Sequence, residues 1–263
     1  MNRMIIGTLL LAAAAPAFAS DTFIVTRGDQ MYRYDGNAVD QFTLNDTLHS
    51  LSSTDMGIIG VSNLQSNVGS PPPEFETWRL DGAQSNAPTL TQIGTMVDQR
   101  FTTVTQVGAT LYGLGEGNIF TIDSPSSFTL VSPIDPGEAI GGSGYDAATD
   151  TFYVTGPNTE SFFSLNLNTG ARTLIGSLGF DFRNQGGEWW DGQYWAALED
   201  LDNDRLVLGT VDTTTGLFTL EVVLQDGLGS LGSDQTMGLA IIPSPSSIAL
   251  LGLGGLVVTR RRR

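Results

Sequence analysis

The stretch GEWWDGQYW gathers the side chains best suited to handling a ligand: Glu188, Trp189, Trp190, Asp191, Tyr194 and Trp195. Three of the chain's four tryptophans stand here. An indole face can lie on a sugar ring while a neighbouring carboxylate accepts its hydroxyl protons, so Glu188, Trp189, Trp190, Asp191 and Trp195 form a candidate glycan contact. Successive residues of a strand point to opposite faces, so Trp189 and Trp190 cannot both line one surface, and at least one of them is expected in a core. Glycosidases work with two carboxyl groups about 5–10 Å apart. The 28 acids of the sequence could supply such a pair, but no motif marks one, and no residue is assigned a catalytic role.

The remaining chemistry is sparse. His49 is the sole histidine and no Gly-x-Ser-x-Gly elbow accompanies it, so it reads as a loop residue, and zinc sites built on two histidines are excluded. With no cysteine, disulfides, thiolate chemistry and Cys-based zinc sites are excluded too. Asp200, Asp202 and Asp204 have the spacing of three calcium-loop ligands, but Arg205 stands where glycine is required and Val211 where a bidentate glutamate is required. That segment reads as an acidic hairpin tip, and no metal is assigned. GLGEG (113–117) and GGSG (141–144) have the composition of phosphate loops, but no helix pattern follows either, so both read as turns. No cofactor is expected.

The elements that must position these residues are strands. Short β-rich runs alternate with Gly, Asn, Asp and Thr turns, and helical periodicity is absent between the two ends of the chain. Units at 22–44, 57–94, 110–134, 151–178 and 193–224 share one plan of three strands separated by polar turns. Asp35, Asp81, Asp123, Asn166 and Asp212 open corresponding turns at intervals of 46, 42, 43 and 46 residues, a structural role in which a short polar side chain bonds its own backbone. A further Gly-rich run precedes the units, as at 101–108, 141–148 and 186–192. Four strands per 40–45 residues is the spacing of propeller blades. The first unit lacks its leading strand, and residues 236–242 can supply it from the other end. The expected fold is therefore all-β: a β-propeller of five four-stranded blades closed by the N- and C-terminal strands, with a β-sandwich or irregular β-solenoid as the alternative.

The ends differ from this body. Asn2 and Arg3 precede an apolar run, and Ala17 and Ala19 are the small residues a signal peptidase reads, so residues 1–19 are expected to be a secretory signal peptide. The body, residues 20–242, carries all 28 acids against seven arginines and no lysine, a net charge of −21. Phosphates would be repelled, which argues against nucleic acid or anionic lipid as a partner. After Pro243, Ser244 and Pro245 come fourteen uncharged residues, 246–259, spanning roughly 21 Å as a helix against a hydrocarbon core of about 30 Å. Arg260, Arg261, Arg262 and Arg263 then fix the orientation with the body outside. A short transmembrane helix with an extended, accessible stretch before it is what a processing enzyme needs.

This layout resembles the C-terminal sorting signal of bacterial PEP-CTERM proteins, which carry a Pro-Glu-Pro motif, a short transmembrane helix and a basic cluster together with an N-terminal signal peptide. Ser244 stands where that family usually has glutamate. The resemblance covers residues 243–263 and implies three things: an exosortase-like membrane protease and a signal peptidase as partners, transient anchoring in the inner membrane, and delivery to the cell surface, extracellular matrix or medium. On that basis the expected protein is an exported, non-catalytic propeller that binds polysaccharide or protein. The alternatives are a secreted carbohydrate-active hydrolase or lyase on the same scaffold, a purely structural matrix component, and a plain tail anchor without processing.

Overall fold

The computed structural model of the chain describes residues 20–63, 74–97, 101–115, 117–134, 140–228 and 237–244. Residues 1–19, expected to be a signal peptide, and the segment 245–263, with Pro245 of the expected sorting motif and the expected transmembrane helix, lie outside them. Two units separate, one of them Asp21–Ile242 and the other made of Met1–Ser20 and Pro243–Arg263. Among the described residues no helix is long and apolar enough to cross a membrane.

The larger unit is built of antiparallel sheets. The chain opens with β1 (Thr22–Tyr34) and β2 (Val39–Leu48). The second sheet is β3 (Ser50–Thr54), β4 (Gly57–Asn63), β5 (Glu74–Asp81) and β6 (Thr89–Val97); the third is β7 (Thr103–Val107), β8 (Thr110–Gly115), β9 (Asn118–Ser124) and β10 (Ser127–Pro133). The fourth is β11 (Ser143–Asp146), β12 (Thr151–Gly156), β13 (Ser161–Leu165) and β14 (Arg172–Ser177); the fifth is β15 (Phe182–Trp190), β16 (Gln193–Asp200), β17 (Arg205–Val211) and β18 (Phe218–Asp226). Finally β19 (Met237–Ile242) returns to pair with β1, Thr22 opposite Ile242 and Arg27 opposite Met237.

That closing sheet has the order β19-β1-β2, yet it carries four rows. The first half of β1 pairs with β19 and the second half with β2. If β1 were straight, Phe23 and Tyr34 would lie roughly 36 Å apart, whereas their ring centroids are 6.1 Å apart. The strand doubles back at Gly28, whose φ of 64° is left-handed and suits glycine in a two-residue hairpin turn. β19 touches β3, β3 touches β7, β7 touches β11, β11 touches β15 and β15 touches β19, so the first row of each sheet forms an inner ring. The fold is a five-bladed β-propeller.

Burial follows from this stacking. Middle strands such as β12 and β16 are covered on both faces and buried almost throughout, while outer strands such as β10 and β14 are largely exposed. Each pair of neighbouring blades encloses its own hydrophobic cluster, as where Phe23, Val25 and Leu239 of the closing blade meet Ala197, Leu206 and Leu208 of the fifth. A β-carbon at Gly94 would lie 2.1 Å from the carbonyl oxygen of Pro125, and one at Gly176 would lie 1.9 Å from that of Thr215. These glycines lie in the outer strands β6 and β14. Each admits the turn between the third and fourth strands of the following blade.

The turn residues divide into two groups. Asp35, Asn166 and Asp212 accept backbone N–H groups two and three residues on, the expected local turn. Asp81 and Asp123 instead bond side chains: Arg79 and Thr91, and Thr121 and Thr129. GLGEG spans the end of β8 and the start of the next turn, with Gly117 at φ 75°. GGSG departs from the turn reading, because Ser143 and Gly144 are in the inner strand β11 and Gly142 comes so close to its neighbour that a β-carbon would lie 2.6 Å from the Gly187 nitrogen. Its glycines serve a tertiary approach.

Candidate functional site

The structure disperses the aromatic and acidic residues that the sequence gathers. β15 is the inner strand of the fifth blade, and its alternation sends Trp189 one way and Trp190 the other. Trp189 stacks on Tyr153 of the fourth blade at 5.5 Å and 14°. Trp190 turns to the closing blade, where its Nε1–H donates to Asp21 Oδ2 at 2.7 Å. Trp195 packs on Phe23 with ring centroids 4.4 Å apart. Asp191 is exposed at a hairpin turn with φ 49°. The five candidate residues thus occupy different blade interfaces and a turn, and do not form one glycan-binding face.

Glu188 has a distinct place. It shares β15 with the two tryptophans, but its Oε2 accepts the Ser53 N–H at 3.2 Å and the Ser52 hydroxyl at 3.4 Å. Those residues lie on β3, and β19 stands between β3 and β15 in the inner ring. The carboxyl therefore sits on the inside of the ring, reaching past a neighbouring strand. Burial pushes it up to about 8, against the hydrogen bonds from Ser53, Ser52 and the Trp189 backbone. At neutral pH it is mostly protonated and could give up a proton, the property a general acid needs. Its side-chain and backbone partners are hydroxyl and amide groups.

Other hydroxyls line the same inner strands. Ser143 Oγ lies 2.6 Å from both Thr103 Oγ1 and Thr105 Oγ1, joining β11 to β7, and Ser53 Oγ donates to Ile241 O at 2.8 Å, joining β3 to β19. Sequence reasoning missed these residues. The signal available was the alternation of hydroxyls in the leading strands, SLSST and TVTQV.

The acidic tip is engaged by its own surroundings. Asp200 accepts from Asn203 and from Arg205 Nε at 2.9 Å, Asp202 from the Asp181 N–H, and Asp204 from the Leu228 N–H. Among the described residues no three His, Cys, Asp or Glu side chains group as metal ligands. His49 occupies the bend between β2 and β3, buried, with its N–H on Val61 O at 2.9 Å. Of the sorting motif, Pro243 and Ser244 are among the described residues.

A deeply buried ion network lies at the seam between the fifth and closing blades. Glu199 on β16 accepts from Arg27 Nε at 2.5 Å and from Arg183 Nε at 2.7 Å, and Arg27 also donates to Leu228 O at 2.7 Å. Beside it the Tyr32 hydroxyl bonds Gln225, and burial raises that hydroxyl's pKa. No sequence motif pointed to this network, although Glu199 adjoins the calcium-like spacing of Asp200, Asp202 and Asp204.

No family model and no curated protein sequence matches the chain. Solved structures resemble it at the level of fold. A nidogen β-propeller from a nidogen–laminin complex is 8% identical with a TM-score of 0.50, covering 85% of this chain and 98% of that one. A structural-genomics protein of unknown function from Bacteroides thetaiotaomicron VPI-5482 is 11% identical with a TM-score of 0.45. The match takes in 73% of this chain and about half, 55%, of that longer one. What the fold defines is a class, the five-bladed β-propeller, here with the raised carboxyl of Glu188 inside its inner ring.

Proposed function

We propose that this chain is an exported, non-catalytic binding module, sorted to the cell surface or extracellular matrix by its terminal segments, whose propeller binds polysaccharide or protein. The observation that carries this reading is the closure of the ring. Thr22 pairs with Ile242, so the strand order is complete within the very span, 20–242, that the sequence sets apart from an N-terminal export signal and a C-terminal sorting signal. Neither segment is required to complete a sheet. Residues 1–19 serve as the signal peptide, Pro243, Ser244 and Pro245 as the processing motif, and Arg260, Arg261, Arg262 and Arg263 as the membrane-orienting cluster for an exosortase-like protease. The nidogen propeller, seen in a complex with laminin, is an instance of this fold in a protein–protein assembly.

The intact mass of the native protein, taken separately from envelope and culture medium, tests the reading. Loss of everything from Pro243 or Pro245 onward supports sorting and processing. A mass running through Arg263 in the membrane fraction overturns it in favour of a plain tail anchor.

Glu188 favours a second reading, a carbohydrate-active hydrolase, because a carboxyl raised to about 8 is a proton donor at neutral pH. Release of reducing ends from a polysaccharide, abolished by Glu188→Gln, would establish that reading. Saturable binding without turnover would remove it.

A further inference from the structure

Strand register identifies equivalent positions from blade to blade. Thr105 lies opposite Tyr112, Gly144 opposite Tyr153, and Glu188 opposite Trp195. Tyr112, Tyr153 and Trp195 are therefore one position of the repeat in the third, fourth and fifth blades. One residue further along the inner strand, Tyr145 and Trp189 are another. Between the fourth and fifth blades these two positions meet and fill the interface, as Tyr153 stacks flat on Trp189. Between the third and fourth blades the same two positions hold Tyr112 and Tyr145, and there they line a cavity of about 230 Å³.

The walls of that cavity are chemically mixed. Phe152 and Leu165 form a buried apolar floor, and Asp150, Asn166 and Asn168 are exposed at the rim. The Tyr145 hydroxyl donates to Asp150 Oδ1 at 2.8 Å, which fixes ring and carboxylate relative to one another. Asn166 Oδ1 is used by the N–H groups of Asn168 and Thr169, leaving the Asn166 NH₂ group as a donor. Among the described residues the Tyr112 hydroxyl and the Asn168 side-chain amide have no hydrogen-bond partner.

We infer that the cleft between the third and fourth blades, flanked by Tyr112 and Tyr145 and rimmed by Asp150, Asn166 and Asn168, is a binding site for one ring of a neutral glycan. This deepens the binding-module reading and rests on it. A sugar ring between the tyrosines, whose positions Tyr153 and Trp189 fill one interface further on, offers them apolar C–H faces, and offers hydroxyls to the carboxylate and amides at its edge. The cavity is smaller than the roughly 300–1,000 Å³ of pockets for drug-sized ligands, so it takes a single ring while the rest of the polymer lies along the exposed rim. Asp150 and the body's net charge of −21 disfavour uronates and sulfated sugars.

The test is calorimetric titration of the full chain, purified in mild detergent, with neutral gluco-, galacto- and manno-oligosaccharides, with oligouronates and with a peptide pool. Expected is binding of a neutral oligosaccharide that Tyr112→Ala and Asn168→Ala each weaken about tenfold, the loss of one good contact, with Tyr112→Phe weaker in effect than Tyr112→Ala. Asn168 is exposed, so Asn168→Ala decides the matter should Tyr112→Ala fail to fold. Glycan binding that survives these variants overturns this site while leaving the module reading intact. Binding of oligouronates or peptide alone overturns the neutral-glycan assignment. No binding to any of the three overturns both.

Discussion

Glutamate 199 is the keystone of the seam between the fifth and closing blades, and Glu199→Gln should be among the most damaging single changes in the protein. The Glu199 side chain is 0% exposed and that of Arg27 3%, whereas Arg183 is 39% exposed. Glutamine keeps the shape but removes the negative charge, so Arg27 stays buried with Leu228 O as an acceptor and no counter-charge. Breaking a buried pair in this way costs about 3–5 kcal/mol. A domain has roughly 5–15 kcal/mol in all, so about a fifth of the stability or more goes. At a urea m-value of about 3 kcal/mol/M the midpoint falls by roughly 1–2 M. Arg183→Ala removes a partly exposed partner and should cost below about 1 kcal/mol. Replacing both buried charges, Arg27→Met with Glu199→Leu, should cost less than Glu199→Gln alone, because no uncompensated charge remains. Urea unfolding of the four proteins, with coincident fluorescence and circular dichroism transitions, reads all of this. A Glu199→Gln midpoint within about 0.3 M of the parent, equivalent to about 1 kcal/mol at that m-value, or a double variant that costs more than Glu199→Gln, would refute the reasoning.

Glu188 sets a slope in pH. Its carboxyl is raised to about 8 from an ordinary 4.5, so the folded state holds the proton more tightly than the unfolded chain; stability is full below pH 4.5, falls as pH rises to about 8, and is flat beyond. Glu188→Gln should flatten that interval, by a few kcal/mol at most because the residue is only half-buried, as read from urea midpoints at pH 5 and 9 in both proteins. Asp212 acts with the opposite sign: the Thr214 hydroxyl and the Thr214 and Thr215 N–H groups hold its carboxyl below the usual range, so its contribution is present above about pH 4 and lost on acidification. Asp212→Asn should reduce the acid sensitivity of the midpoint. Gly176→Ala drives a β-carbon onto the Thr215 carbonyl and should cost at least about 1–3 kcal/mol by thermal or urea unfolding. Gly108→Ala, with nothing within 4 Å, meets only the strain of φ 59°, about 1–2 kcal/mol.

The blade count was legible because the turn residues recur at near-constant intervals and turn chemistry is local. Asn166 bonds the N–H groups of Asn168 and Thr169 whatever the rest of the chain does. The leading strand of the second blade was harder to see, since β3 follows β2 with only His49 between them. The glycines of GGSG look like turn glycines until the neighbouring inner strand is brought against them. The site was less legible still. The density of aromatics in GEWWDGQYW draws attention, but strand alternation and ring closure send those residues to separate interfaces. Tyr112 and Tyr145 lie in different units, and only the register of two blades reveals that they match Tyr153 and Trp189. Alignment of the repeats, position by position, was the signal that could have found them. The Arg27–Glu199 pair, 172 residues apart, left none.

The row that completes the first blade is the last to be synthesised. Thr22 waits for Ile242, and until β19 arrives the edge of β1 is open and the clusters on both sides of the closing blade lack Met237, Leu239, Ala240 and Ile241. Pairing across such a separation in sequence is slow, because the loop must close before the contacts that reward it form. Until β19 has followed, the ring stays unlocked, which would keep the proposed export open to the chain, and then the same strand shuts the edge that would otherwise invite another chain.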